Sequence, residues 1–189
     1  ILEEGWADAA TIDQALRVVG GFRMGPFELM DLIGLDVNFA VTSSVFEQTF
    51  FEARYRPSLL QQRMVEAGLL GRKSGQGFFD YRPHQQKPSP VEDAALSVKI
   101  VDRVLAMMIN EAVFAVQLQI ATAEDIEIAM TKGTNYPKGL LAWGRSLGWH
   151  TVLQRLEALY LQSSDDRYRP APLLRELASG TKSLLTSKK

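Results

Sequence analysis

An internal repeat constrains this chain more than any other feature. Ile12-Asp13-Gln14-Ala15 recurs 114 residues later as Ile126-Glu127-Ile128-Ala129. The same separation links further positions, namely Phe22 with Tyr136, Gly25 with Gly139 and Gly34 with Gly148. Tyr55-Arg56-Pro57 recurs at 113 residues and Leu59-Leu60 at 114, which predicts one inserted residue at or near Ala171. The sequence therefore predicts two copies of one structural unit.

Each copy has a short helix bounded by glycines. Gly25 and Pro26 predict its start in the first copy, because proline at the first helical position gives up only an N–H that has no intrahelical partner. Gly34 predicts its end. Asp36 is predicted to cap the next helix. Since the short helix has hardly any polar face, we expect it to be wedged between larger helices.

The periodicity of the apolar residues predicts an all-α protein. A long spine helix is expected from Leu96 to about Ile120. Other helices are predicted in the first copy at 12–19 with Thr11 as cap, at 36–53 and at 57–67. In the second copy they are predicted at 123–131 with Thr122 as cap, at 140–147, at 151–161 and at 172–178. Phe78 to Tyr81 is the only strand-like run.

A proline-rich stretch separates the copies. Three of the eight prolines fall between Arg82 and Pro90, which predicts an extended linker. The predicted domains are therefore residues 1–82, a linker at 83–95, a second copy at 96–178 and a tail at 179–189. Residues 1–5 align with the end of the second spine helix. We therefore expect a piece of a larger protein, the alternative being a natural short protein with an asymmetric repeat.

Composition argues against several classes of partner. The chain has 21 basic and 22 acidic residues, a formal charge of −1 at pH 7, so charge gives no reason to expect nucleic acid or an anionic membrane as partner. No apolar run approaches the ~20 residues of a membrane span. The chain has no cysteine, which is compatible with a cytoplasmic location. His84 and His150 have no neighbouring partner for a base or a metal pair, so no metal is expected.

Two long motifs carry a family resemblance. Gly20-Gly21-Phe22-Arg23-Met24-Gly25-Pro26-Phe27-Glu28-Leu29-Met30-Asp31 is followed downstream by Gly71-Arg72-Lys73-Ser74-Gly75-Gln76-Gly77-Phe78-Phe79-Asp80-Tyr81. Together and in this order they resemble the C-terminal helical domain of the L-3-hydroxyacyl-CoA dehydrogenases. The resemblance implies a tandem duplicated helical domain, like the C-terminal domain of 6-phosphogluconate dehydrogenase, packed as an intrachain pseudo-dimer.

The resemblance also implies a function. In this family an N-terminal Rossmann domain binds NAD and carries the catalytic groups, and the helical domain closes over the acyl-CoA and supplies the dimer interface. We therefore expect no catalytic residue in this chain, NAD and acyl-CoA bound mainly through a missing domain, and a homo-oligomer. The implied parent reaction is oxidation of a 3-hydroxyacyl-CoA to a 3-oxoacyl-CoA, and the fragment alone is predicted to be inactive.

The family motifs assign roles to individual residues. By motif position, Lys73 is the lysine that reaches the NAD in these dehydrogenases, whereas a solvated turn is the alternative reading from the sequence alone. Met24 and Pro26 are candidates for substrate contact. The family's functional Asn-Arg pair is matched by Asp102-Arg103, which implies that the second copy has lost its catalytic contribution.

Two-copy arrangements resembling this one occur in bacterial long-form 3-hydroxybutyryl-CoA or 3-hydroxyadipyl-CoA dehydrogenases, including those of phenylacetate catabolism. The alternatives are the C-terminal part of a multifunctional fatty-acid oxidation protein and a non-catalytic helical association module.

Overall fold

Helices make up the regular structure of residues 1–184, the part of the chain that the computed structural model describes. The predicted all-α fold is confirmed for these residues. In chain order the helices are α1 (Ala9–Val18), α2 (Pro26–Ile33), α3 (Leu35–Gln48), α4 (Leu59–Glu66), α5 (Ala94–Gln117), α6 (Ala123–Ile128), α7 (Leu140–Leu147), α8 (Trp149–Ser163) and α9 (Pro172–Ala178).

The packing order of the helices repeats, as the internal repeat predicts. Helix α1 packs on α2, α2 on α3 and α3 on α4, and the same succession runs from α6 through α9. Gly34 separates α2 from α3 with φ 105°, and Gly148 separates α7 from α8 with φ 85°. A residue with a side chain rarely adopts positive φ, so glycine permits both sharp junctions.

The chain divides into two compact units, Ile1–Val101 and Asp102–Lys189, and the division falls within α5. Each unit has its own buried apolar residues. In the first they include Ile12, Ala15, Leu16, Leu35, Phe79 and Ile100, and in the second Leu105, Ile109, Val113, Leu141, Val152, Leu156 and Leu174. Removal of such side chains from water is the main force that stabilises each unit.

Two predicted helix caps were wrong. Asp8, not Thr11, caps α1, because its carboxylate accepts a hydrogen bond from the Thr11 backbone N–H at 2.8 Å. Helix α3 begins directly after Gly34, so Asp36 lies in its first turn and not at its cap. By contrast, Thr122 caps α6 as predicted.

Several predicted segments also differ from the structure. Phe78–Tyr81 forms no strand, since only the isolated bridges Gly71 to Gln76 and Gln76 to Asp80 occur near it. The helix predicted at 123–131 ends at Ile128 and continues as a π-helical turn over Ala129–Gly133. The caps of α4 and α9, Ser58 and Ala171, are 113 residues apart, the separation also present between Tyr55 and Tyr168.

Helix α2 is less enclosed by neighbouring helices than the sequence predicts. It packs on α1, α3 and the turn at Arg72–Ser74, but Leu29, Leu32 and Ile33 remain between 43% and 48% exposed. Among residues 1–184, no single helix has the length and apolar composition to cross a membrane, whereas α2 and α3, bent by 100°, meet that criterion as a pair.

The regions predicted as linker and tail contain little regular structure. Residues 82–93 are not helical, and Val91 donates its backbone N–H to the Thr11 hydroxyl oxygen at 2.9 Å. Residues 179–184 follow the end of α9 without a helix, and the remainder of the predicted tail, 185–189, lies outside the described residues.

Candidate functional site

The loop from Gly71 to Tyr81, which we call the glycine turn, is built around the carboxylate of Asp31. This side chain projects from α2 and is 1% exposed. Its two oxygens accept the backbone N–H groups of Phe78 and Phe79, both at 2.9 Å, and the hydroxyl of Tyr81 at 3.1 Å. Because three donors converge on one buried acceptor group, the path of the loop over α2 is strongly specified.

Two glycines let the loop approach Asp31 this closely. A Cβ atom at Gly77 would lie 2.0 Å from Oδ1 of Asp31, and one at Gly71 would lie 2.3 Å from its carbonyl oxygen. Gly71 also has φ 92°, which disfavours any side chain. The glycines of the motif thus serve close packing as well as turning.

Lys73 lies in a short 3₁₀ turn at Arg72–Ser74. Its ammonium donates to Oδ2 of Asp36 at 2.6 Å and lies 2.5 Å from Oδ1. The side chains of the pair are 45% and 38% exposed, so solvent reaches both. Lys73 is therefore at the surface, as predicted, and its pairing with Asp36 was not predicted.

Electrostatic effects in the site follow from these contacts. The hydrogen bond from Lys73 holds the pKa of Asp36 below its usual value. Burial, together with the nearby charge of Asp31, raises the pKa of Tyr81 to about 12. The hydroxyl of Tyr81 therefore keeps its proton, and its donation to Asp31, across the physiological range.

Further cations surround Glu28 on α2. Its carboxylate lies 2.9 Å from the Lys87 ammonium and 3.3 Å from the Arg72 guanidinium. The hydrogen bond from Lys87 is the main reason that the pKa of Glu28 is lowered. Lys87 also lies over the Phe79 ring at 5.1 Å, so the segment after the glycine turn folds back on it.

Met24 and Pro26, the other predicted site residues, lie at the N-terminal end of α2, whereas Lys73 lies beside Gly34 at its C-terminal end. Pro26 is its first residue, Met24 immediately precedes Gly25, and both side chains are partly buried. An eight-residue helix is about 12 Å long. The structure therefore places Met24 and Pro26 one helix length from the Gly34 junction where Lys73 is held.

Asp13 fills the N-terminus of α2. Its carboxylate accepts the backbone N–H groups of Phe27 at 2.8 Å and Glu28 at 2.9 Å, and a Cβ at Gly25 would lie 2.1 Å from it. Burial raises the pKa of Asp13, although these two hydrogen bonds act in the opposite direction. This end of α2 is therefore already occupied by an anionic group of the chain itself.

Asp13 and Asp31 were not predicted as structural determinants, and Asp36 was predicted only as a helix cap. A signal existed for Asp13, because the repeat places an acid at both Asp13 and Glu127. The signal for Asp31 was an acid within the otherwise apolar run Leu29-Met30-Asp31-Leu32-Ile33. Asp36 was recognised as a residue of the α3 start, but its partner lies 37 residues away and no local pattern reveals it.

Within residues 1–184, the second copy does not repeat this arrangement. Arg145 stands at the position of Asp31, and no counterpart of the glycine turn follows α9 within the described residues. Asp102 forms an ion pair with Arg155 at 2.8 Å. Arg103 is buried and donates to the Tyr168 hydroxyl. Within residues 1–184, no three His, Asp or Glu side chains gather at a point that could hold a metal ion.

The second unit contains an open cavity of about 480 Å³ beside α5. Its lining is apolar apart from Glu111 and the hydroxyl of Tyr136, and the π-helical turn contributes Ala129 and Met130 to it. None of the predicted site residues borders this cavity.

Comparison with known proteins agrees with the two motifs. The family model described as "3-hydroxyacyl-CoA dehydrogenase, C-terminal domain" matches residues 1–81 and again 100–188. The 3-hydroxyadipyl-CoA dehydrogenase of Escherichia coli K12 is 35% identical over 94% of this chain and 55% of its own length. The peroxisomal bifunctional enzyme of Cavia porcellus is 33% identical over 95% of this chain and 29% of its own.

A solved structure shows the same fold. The crystal structure of 3-hydroxybutyryl-CoA dehydrogenase from Escherichia coli K12 superposes with a TM-score of 0.85 at 33% identity, covering 96% of this chain and 57% of the other. The chain thus spans 55% of the length of the Escherichia coli relative, 57% of the solved chain and 29% of the bifunctional enzyme. On these grounds the chain belongs to the C-terminal-domain family of the 3-hydroxyacyl-CoA dehydrogenases.

Proposed function

We propose that this chain is the substrate-closing and association region of an NAD-dependent L-3-hydroxyacyl-CoA dehydrogenase whose nucleotide-binding domain lies outside it. The parent enzyme oxidises the C3 hydroxyl of a 3-hydroxyacyl-CoA to a ketone. The observation that carries this proposal is the glycine turn, which Asp31 holds rigidly and which presents Lys73 at the surface.

The chemistry of the turn suits a dinucleotide. NAD carries a diphosphate and two riboses, and an ammonium group donates hydrogen bonds to oxygens of either kind. Lys73 has three N–H donors, and a partly exposed cation on a fixed backbone can donate to a ligand without reorganising the loop. When bound, NAD supplies the hydride acceptor, and the contribution of this chain is confined to binding and orientation.

We assign the remaining roles by position. Met24 and Pro26, at the start of α2, are proposed to contact the acyl-CoA. The second copy is proposed to be structural, since the ion pair with Arg155 engages Asp102. We propose residues 1–82 as the first copy, 83–95 as linker, 96–178 as second copy and 179–189 as tail. A homo-oligomer in the cytoplasm, with neither nucleic acid nor membrane as partner, belongs to the same proposal.

A chimera tests the cofactor role of Lys73. In it, this chain replaces the matching part of the Escherichia coli 3-hydroxyadipyl-CoA dehydrogenase. A charge-assisted contact is worth roughly 1.5 to 3 kcal/mol, so Lys73→Ala is expected to weaken NAD binding about ten- to a hundredfold, with acyl-CoA affinity and Tm nearly unchanged. Arg82→Ala is the matched control, because Arg82 pairs with Asp80 in the same region and has no proposed contact with NAD.

The alternative function, a helical association module without a cofactor role, predicts a different result. In that case the Lys73→Ala chimera binds NAD as tightly as its parent, and Lys73 is only part of a solvated turn. Titration calorimetry with NAD on the three chimeras distinguishes the two functions directly.

A further inference from the structure

We propose that Asp36 is a positioning residue for Lys73. Its carboxylate holds the ammonium at one place beside Gly34, so that the lysine is already oriented when the cofactor arrives. This inference rests on the proposed function, because it assigns Asp36 an effect on cofactor binding exerted through Lys73.

The geometry of the pair supports orientation. The ammonium lies within 2.6 Å of both carboxylate oxygens, which restricts a side chain that otherwise has four freely rotating bonds. A Cβ at Gly34 would come within 3.0 Å of Nζ and 3.1 Å of Cε of Lys73. The lysine stem therefore lies along the α2–α3 junction in a space that a glycine leaves open.

Both ends of the pair are attached to rigid backbone. Lys73 lies in the glycine turn, which Asp31 fixes, and Asp36 lies in the first turn of α3. The turn is fixed further by Ser74, whose hydroxyl donates to the Gln76 carbonyl and accepts the Leu70 N–H, both at 2.8 Å. A side chain held between two rigid elements loses less freedom when it binds a ligand.

Stability alone does not account for the pair. Exposed ion pairs contribute little to folding, and both side chains here are more than a third exposed. The same exposure leaves the ammonium accessible to a ligand. The two oxygens of the Asp36 carboxylate can each accept one N–H group of the Lys73 ammonium. At least one of the three N–H groups therefore stays available to a ligand.

The second copy provides an independent observation. It keeps the junction glycine, Gly148 for Gly34, but His150 stands at the position of Asp36. By the repeat, the position of Lys73 corresponds to Thr186 or Ser187 in the sequence, and neither is a lysine. The acid is therefore present in the copy that has the lysine and absent from the copy that does not.

The first experiment uses this chain as it stands. Limited acylation with an amine reagent, read by peptide mass spectrometry, measures how accessible the Lys73 amine is. We expect Asp36→Asn to accelerate acylation of Lys73 severalfold while Lys132, in the second unit, reacts at its former rate. An unchanged rate at Lys73 would show that the pair does not hold the amine and would overturn the proposal.

The second experiment is a double-mutant cycle in the chimera, with the NAD dissociation constant as readout. Asp36→Asn is expected to weaken binding about three- to tenfold when Lys73 is present and to have no effect in a Lys73→Ala background. Equal effects in both backgrounds would mean that Asp36 acts only through the fold, and tighter binding would mean that it competes with the cofactor; either result overturns the proposal.

The two experiments separate the possible failures. If Lys73→Ala does not change NAD binding, the proposed cofactor role fails, and the inference about Asp36 fails with it. If Lys73→Ala weakens binding but Asp36→Asn does not, the cofactor role stands and only the positioning role is lost.

Discussion

Asp13 and Glu127 lie 114 positions apart and perform the same task in the two copies. Asp13 accepts the N–H groups of Phe27 and Glu28, and Glu127 accepts those of Leu141 at 2.7 Å and Ala142 at 3.4 Å. Each acid comes from the helix before the glycine-bounded helix and occupies its N-terminus. A Cβ atom at Gly139 would lie 1.9 Å from the Glu127 carboxylate, and one at Gly25 would lie 2.1 Å from the Asp13 carboxylate.

The first prediction concerns this shared cap. Asp13→Ala leaves two backbone donors of α2 without their acceptor and should lower the free energy of unfolding by about 2 kcal/mol. Asp13→Asn should cost about half as much, because the amide keeps one acceptor oxygen and carries no buried charge. Urea unfolding followed by circular dichroism measures both. Glu127→Gln is the matched variant in the second copy, and equal losses for Asp13→Ala and Asp13→Asn would contradict the argument.

The second prediction separates close packing from backbone strain at glycine. Gly77→Ala places a methyl group 2.0 Å from Oδ1 of Asp31 and should destabilise the chain by about 2 to 3 kcal/mol. Gly68→Ala meets no atom within 4 Å and has only its positive φ of 73° to accommodate, so about 1 kcal/mol is expected. Thermal unfolding of the two variants compares them. A loss at Gly77 no larger than that at Gly68 would refute the close approach to Asp31.

The third prediction is a pH dependence. The pKa of Tyr81 is about 12 in the folded chain against an ordinary value of 10, so between these two pH values the folded state keeps a proton that the unfolded state has lost. The stability contribution is therefore complete below about pH 10 and is lost as the pH rises toward 12. Tyr81→Phe should remove this loss, and phenolate absorbance should show a smaller transition between pH 10 and 12 than in the parent chain. Tyr160→Phe is the control, and it should leave that late transition in place.

The fourth prediction concerns activity. The purified chain should show no NAD-dependent oxidation of 3-hydroxybutyryl-CoA, because the proposed function puts the catalytic groups and most of the NAD site in a nucleotide-binding domain outside this chain. Its circular dichroism spectrum should nonetheless be strongly helical, with cooperative melting. Oxidation above the buffer rate, in material shown to be free of host enzyme, would count against the assignment.

The sequence by itself determined the duplication, the helical class and the family. Glycines and prolines mark the starts and ends of helices in the local sequence. A junction such as Gly25-Pro26 or Gly34 depends on backbone conformations that few other residues adopt. Starts and ends of helices that rest on such residues were predicted well, as for α2, α7 and α9. The intrachain pseudo-dimer and the cofactor role of Lys73 stay predictions.

The tertiary structure determined which hydrogen-bond donors each acidic side chain binds. Asp13, Asp31 and Asp36 look alike in the sequence, yet one caps α2, one holds the glycine turn and one binds Lys73. Their partners lie 14, 47 and 37 residues away. Local patterns report backbone preference and amphipathicity, but a carboxylate binds the donors that packing brings within about 3 Å, and that distance exists only after the helices have assembled.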